Sequence, residues 1–240
     1  MKILKLNLSN ISISQLSSQL ILNNKISVAV CNVNTLVSVD KDKMLEHVFS
    51  NFTFRVPDGM PLVWLMKKKG QFEQERLNGM KILKNTIEAG LSKQTKHCFI
   101  GTTDFILTKL EQQLLFLYPD INIGGLLAPP FGSQKEIEDF VDSNINEILD
   151  SDILWIGLGM PKQELLMKYL GKYETNLVGV GAVFEWVAGT KKNAPQFLQN
   201  NGLEWLYRLI KEPKRLWKRY LFDFLYIVKI LFFKVLKLSD

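Results

Sequence analysis

The stretch Asp152-Ile-Leu-Trp-Ile-Gly-Leu-Gly-Met-Pro-Lys-Gln-Glu164 constrains the fold more than any other. Ile153 to Ile156 carry no polar alternation, which suits a central strand of a parallel sheet covered by helices on both faces. Gly157 and Gly159 permit a tight turn, and Pro161 suits the first position of a following helix, where its missing N–H costs nothing. The free amides of that first turn would point outward from the carboxyl end of the sheet. Open α/β folds bind ligands there, and an anion such as a diphosphate is stabilised there. An ordinary strand–helix junction is the alternative, because glycine-rich turns are common in α/β proteins.

Strand and helix signals alternate along most of the chain. Apolar or β-branched runs predict strands over 26–30, 52–56, 97–100, 121–127 and 177–183. Helical spacing predicts helices over 43–51, 61–67, 73–90, 105–118, 134–149 and 163–170. The fold class is therefore α/β, a Rossmann-like parallel sheet flanked by helices. Residues 1–190 are expected to form this domain and 191–240 a basic, amphipathic helical appendage.

The net charge of +6 hides an asymmetry: 191–240 hold 11 Lys/Arg against 4 Asp/Glu, a local +7, so the remainder sums to −1. A near-neutral body with a basic tail points to an anionic partner surface, either nucleic acid or a lipid leaflet. In 221–238, 14 of 18 residues are apolar. At 100° per residue Arg215, Lys218, Arg219, Asp223, Lys229, Lys234 and Lys237 fall within an arc of about 160°. That arrangement fits a helix lying in a membrane interface, with Trp217 and Tyr220 at headgroup depth. A dimerisation helix, and hence a homo-oligomer, or a single membrane span are the alternatives. Phe and Leu dominate between the basic residues, where RNA readers place isolated stacking aromatics, so lipid is favoured over nucleic acid.

No secretory core forms near the N-terminus, because Asn7, Ser9 and Asn10 break its apolar residues, so a cytosolic protein is expected. Cys31 and Cys98 show no metal-binding or disulfide spacing and read as buried free thiols. Asp40-Lys-Asp42 spells a D-x-D pattern that can hold a divalent cation on a sugar-nucleotide, yet a helix start explains these aspartates more simply. Asp150-Ser-Asp152 precedes a strand, at the end of the sheet away from a ligand crevice. Pro57-Asp-Gly59 is a strong turn signal. Arg76 sits beside Glu73 and Glu75, where a surface ion pair is its ordinary role. Glu185 lies just beyond a strand's carboxyl end, as a ligand acceptor or a helix-start carboxylate. An oxidoreductase binding a dinucleotide rests only on the glycine-rich strand ends, since no G-x-G-x-x-G opens a βαβ unit.

Nine short motifs occur in one order: Asn32-Val-Asn-Thr35, Pro57-Asp-Gly-Met-Pro61, Glu75-Arg-Leu-Asn-Gly79, Ala128-Pro-Pro-Phe131, Gly157-Leu-Gly-Met-Pro-Lys-Gln-Glu164, Gly179-Val-Gly-Ala182, Ala194-Pro195, Gly202-Leu-Glu-Trp-Leu-Tyr-Arg208 and Glu212-Pro213. Together they resemble the WecG/TagA/CpsF glycosyltransferase family over nearly the full chain. The resemblance implies an inverting, metal-independent enzyme of cell-envelope polysaccharide biosynthesis, requiring no cofactor. It would move N-acetylmannosamine, its uronic acid or a related sugar from a UDP-sugar donor to a polyprenyl-diphosphate-linked sugar, working peripherally on the cytoplasmic membrane face. By similarity Asp58 would be the general base, with Thr35 and Asn34 beside it positioning donor sugar or acceptor. Pro161, Lys162 and Gln163 would form the donor-binding helix start, and Phe131 and Glu185 would line the nucleotide pocket. Many relatives carry aspartate where this chain has Glu185. Arg76, Arg208, Arg215 and Arg219 would neutralise phosphate charge in place of a metal.

Overall fold

Largely apolar segments pair into one six-stranded parallel sheet in this computed structural model, which describes residues 2–195, 197–198 and 202–236, the side chains of 215, 227 and 229–236 apart. The strands are β3 (Ser27–Cys31), β4 (Phe54–Pro57), β5 (Lys96–Gly101), β6 (Asn122–Leu127), β7 (Ile153–Gly157) and β8 (Asn176–Gly179), in the order β4-β3-β8-β7-β5-β6. A small antiparallel pair, β1 (Lys2–Ile3) and β2 (Leu6–Asn7), precedes them. As the unpunctuated run predicts, β7 is internal, paired with β8 and β5.

Side-chain alternation along β7 sends Leu154 and Ile156 into one apolar layer and Ile153 and Trp155 into the other, all four fully buried. The first layer is closed by α2 (Val33–Lys41), α3 (Lys43–Ser50), α4 (Met60–Lys68), α7 (Gln134–Ser143), α8 (Ile145–Leu149) and α9 (Lys162–Leu170). The second is closed by α1 (Ile13–Leu22), α5 (Gly79–Gly90), α6 (Asp104–Leu117) and α10 (Val183–Val187). Each fully buried Leu, Ile or Phe contributes about 1.5–3 kcal/mol, so the two layers rather than helix propensity hold the sheet. Cys31 and Cys98 are free and buried within it.

Several expected elements differ in the structure. The helix predicted over 73–90 begins only at Gly79, because Leu77 N–H bonds the Pro57 carbonyl at 2.9 Å and the Asn78 side chain caps α5 through Lys81 N–H at 2.8 Å. The segment carrying Arg76 is therefore drawn alongside the end of β4. The helix predicted over 134–149 divides at Asn144, whose side-chain amide takes the Phe140 carbonyl at 2.8 Å. The strand predicted over 26–30 runs one residue further, to Cys31, and α2 follows at once, started by a reciprocal capping box of Asn32 and Thr35. Pro161 occupies the cap and Lys162 the first helical position of α9. Neither α1 nor the β1–β2 pair was anticipated.

The tail forms α11 (Glu204–Lys211) and α12 (Pro213–Leu236). Leu216 is buried, Tyr226 O–H donates to Asp40 at 2.6 Å, and Lys41 lies 4.3 Å from the Tyr226 ring, so α12 is seated on α2. No helix among the described residues is long and apolar enough to cross a membrane.

One buried pair predicts a pH dependence of stability. Trp155 Nε1–H donates to His97 Nδ1 at 3.1 Å, and His97 is fully enclosed. Burial lowers its pKa from 6.5 to about 4, against a weak opposing pull from Asp152. Between those values the unfolded chain binds a proton that the folded chain refuses, so stability rises with pH across the window and the gain is complete above it. At about 1.4 kcal/mol per pH unit the whole window is worth roughly 3 kcal/mol. Urea midpoints at pH 7 and pH 5, which span about 1.5 pH units of the window, should show a loss of about 2 kcal/mol in the wild type and a smaller one in His97→Gln, whose amide oxygen can still accept from Trp155. Equal losses in both would place the acid sensitivity elsewhere.

Candidate active site

Because all six strands of the main sheet run parallel, their carboxyl ends share one edge, where open α/β sheets place their ligands. Asp58 follows β4 directly, and its N–H bonds the Cys31 carbonyl at 2.7 Å, fixing it at the ends of β3 and β4. Gly59 then caps α4, with Pro61 in the first turn.

Arg76 meets Asp58 from the extended segment before α5. Its Nε donates to the Asp58 backbone carbonyl, and Nη2 and Nε reach Oδ1 at 3.0 and 3.3 Å. The same Nη2 lies 2.5 Å from Glu204 Oε2, and the other Glu204 oxygen accepts from Arg208. Asp58, Arg76 and Glu204 retain only 21, 16 and 10% of their side-chain exposure, so this chain of two carboxylates and two guanidiniums is largely desolvated. Burial raises the Asp58 pKa against the pull of Arg76, and Glu204 pushes it further up. Burial alone would raise Glu204 too, but Arg208 and Arg76 outweigh it and hold that carboxyl below its usual range.

This cluster faces a cleft of about 530 Å³ between α4 and the two tail helices. Leu62, Leu65, Trp205, Leu209, Trp217 and Phe224 give it apolar walls, and Asn34, Asp58, Arg76, Arg208 and Arg219 give it polar ones. Arg219 lies 5.1 Å from the Tyr220 ring, and its Nε is buried without a hydrogen-bond partner among the described residues. The Arg208 guanidinium stacks 4.8 Å from the Trp186 ring of α10. Thr35 is buried in the capping box, its Oγ1 accepting the Asn32 N–H at 3.3 Å, while Asn34 lines the cleft. The Arg215 side chain lies outside the described residues.

The donor-side candidates follow β6, β7 and β8 on the same sheet edge. Phe131 is largely exposed, and Lys162 Nζ donates to the Gly132 carbonyl. Gln163 is buried: its Oε1 accepts Gly181 N–H at 2.9 Å and its Nε2 donates to Glu164 at 3.2 Å, tying the turn after β7 to the turn after β8. Gly179 makes room for it, since a Cβ there would stand 2.4 Å from Gln163 Nε2. Glu185 lies on α10, its Oε2 buried and without a hydrogen-bond partner among the described residues. Asp42 caps α3 through Met44 N–H at 2.7 Å, and Asp40 receives Tyr226, so the first D-x-D pair is occupied structurally. Asp152 of the second accepts Lys96 N–H at 2.7 Å at the opposite end of the sheet.

The family model for the glycosyl transferase WecG/TagA/CpsF family matches residues 1–239. The chain belongs to this family. Among relatives of this WecG/TagA/CpsF glycosyltransferase, a protein of Bacillus spizizenii is 28% identical over 188 residues, covering 78% of this chain and 71% of the relative. One of Bacillus subtilis is 27% identical over 209 residues, covering 83% and 77%. Both carry the name N-acetylglucosaminyldiphosphoundecaprenol N-acetyl-beta-D-mannosaminyltransferase. The oxidoreductase and nucleic-acid readings gain no support from these relatives.

Glu204 is the site residue that sequence reasoning missed. Its signal was the i, i+4 spacing to Arg208 within Glu204-Trp-Leu-Tyr-Arg208, a pattern that also describes any surface helix pair.

Proposed function

We propose that this glycosyltransferase moves N-acetylmannosamine or a related hexose from a UDP-sugar to a polyprenyl-diphosphate-linked sugar by a single inverting displacement, on the cytoplasmic membrane face. The observation that carries the reading is Asp58 held by Arg76 through one oxygen, at the mouth of a cleft that combines arginines with apolar walls. Oδ2 has no hydrogen bond among the described residues and is the atom that takes the acceptor hydroxyl proton. The deprotonated oxygen attacks the anomeric carbon as the bond to UDP breaks, so one displacement inverts the centre. The charge arriving on the diphosphate is met by Arg208 and Arg219, because in the first turn of α9 the Gln163 N–H is already taken by the Gly159 carbonyl at 3.2 Å. Thr35 and Asn34 position the reacting groups, and Phe131 and Glu185 line the nucleotide side.

The acceptor's lipid supports the same assignment of the tail. Trp217, Phe222, Phe224, Leu225 and Val228 are exposed on a helix that also carries Lys214, Lys218 and Arg219, a composition suited to the boundary of an anionic leaflet. Incubation with a panel of UDP-sugars and a short-chain lipid-diphosphate sugar should yield one product of acceptor plus hexose mass, with the anomeric centre inverted by NMR. The yield should be unchanged by EDTA, since the D-x-D aspartates are held as a helix cap and a helix dock. Transfer only with added Mn²⁺ would overturn the metal-independent mechanism, and no transfer from any UDP-sugar would overturn the donor assignment.

A further inference from the structure

We propose that Glu204 is a positioning residue for the general base: from α11 it holds Arg76 open, so that Asp58 remains a strong base only while the tail is docked. This rests on the reading of Asp58 as the base. The geometry of Arg76 carries the argument. A guanidinium closed on one carboxylate forms a two-pronged fork that engages both oxygens. Here Nε and Nη2 both converge on Oδ1 of Asp58, while Nη2 turns its remaining hydrogen to Glu204 at 2.5 Å. Glu204 thereby takes the half of the guanidinium that would close the fork. Asp58 keeps Oδ2 for the acceptor proton.

Charge acts in the same direction. The groups facing Asp58 are Arg76, Glu204 and Arg208, with the buried Cys31 thiol behind it and Arg219 and Asp223 lining the same cleft. Removing the Glu204 charge leaves Arg76 to neutralise Asp58 alone, which weakens the base. Removing Arg208 gives Glu204 wholly to Arg76, which strengthens it. Glu204 and Arg76 are 128 residues apart, so undocking of the tail breaks this arrangement without any change near β4.

The test is the pH profile of kcat with a water-soluble acceptor. In Glu204→Gln the acidic limb should move to lower pH and the plateau fall roughly tenfold, less than the 10²–10⁴ of losing a base outright. In Arg208→Gln the limb should move the opposite way. Glu204→Asp, which keeps the charge, should hold the wild-type limb. A glutamate that merely braces the helix would alter the melting midpoint or KM and leave the limb in place. Should Glu204→Gln fail to fold, the direction of the limb in Arg208→Gln decides, and an unmoved limb there overturns the proposal. Asp58→Asn separates the two ideas. If it abolishes the limb while the Glu204 and Arg208 variants leave theirs unmoved, only the role of Glu204 is lost. If the limb persists in Asp58→Asn, the base assignment itself fails.

Discussion

In Asp58→Asn, turnover should fall by about 10²–10⁴ while UDP binding and the melting midpoint stay close to wild type. The amide oxygen can still accept from Arg76, and the backbone contacts of residue 58 to Cys31 and Arg76 do not involve the side chain. Arg76 also keeps Glu204, so the substitution leaves no buried guanidinium unpaired. What is lost is the oxygen proposed to accept the hydroxyl proton. Calorimetric binding of UDP beside single-turnover rates checks both halves of the statement. A variant with near-wild-type turnover would make Asp58 a turn residue only, as Pro57-Asp-Gly59 triplets commonly are.

Truncation after Ala194 should remove transfer while leaving donor binding. The βα units that carry Phe131, Pro161, Lys162, Gln163 and Glu185 all precede the cut. The cut removes Glu204, Arg208 and Arg219 together with Trp205, Leu209, Trp217 and Phe224 from the cleft. Loss of preorganised charges at a developing anion costs about 10²–10³ in rate for a single donor, so the fall should be at least that large even on a soluble acceptor. Sedimentation with anionic vesicles should vanish too, because the apolar and basic signals leave together. Charge reversal at Arg215 and Arg219 separates the two losses, since a catalytic defect persists on a soluble acceptor and an anchoring defect does not. Full-length turnover by the truncated enzyme on membrane-embedded acceptor would reduce the tail to a packing element.

Some of this was legible in the chain because the determinants are local. β7 was readable from an unbroken apolar run and β5 from a nearly unbroken one, since strands buried on both faces need no alternation. The role of Asp42 followed from its position before α3, where a short carboxylate satisfies free amides two and three residues on. The helix over 73–90 was misjudged for the converse reason. Its residues suit a helix, but the bond from Leu77 to Pro57 in another element holds 73–78 out of it.

The sequence by itself determined the α/β class, the sheet edge on which the candidates lie and the basic, apolar character of the tail. Those properties depend on periodicity, caps and composition, which act within a few residues. Only the tertiary structure decided that Arg76 leaves its surface neighbours for Asp58, that Asp40 receives Tyr226, and that Glu204 enters the site. The reason is that a buried or half-buried charge must find an opposite charge or a hydrogen-bond donor wherever the fold brings one. Such a partner, 128 or 186 residues away, leaves no periodic trace near either residue.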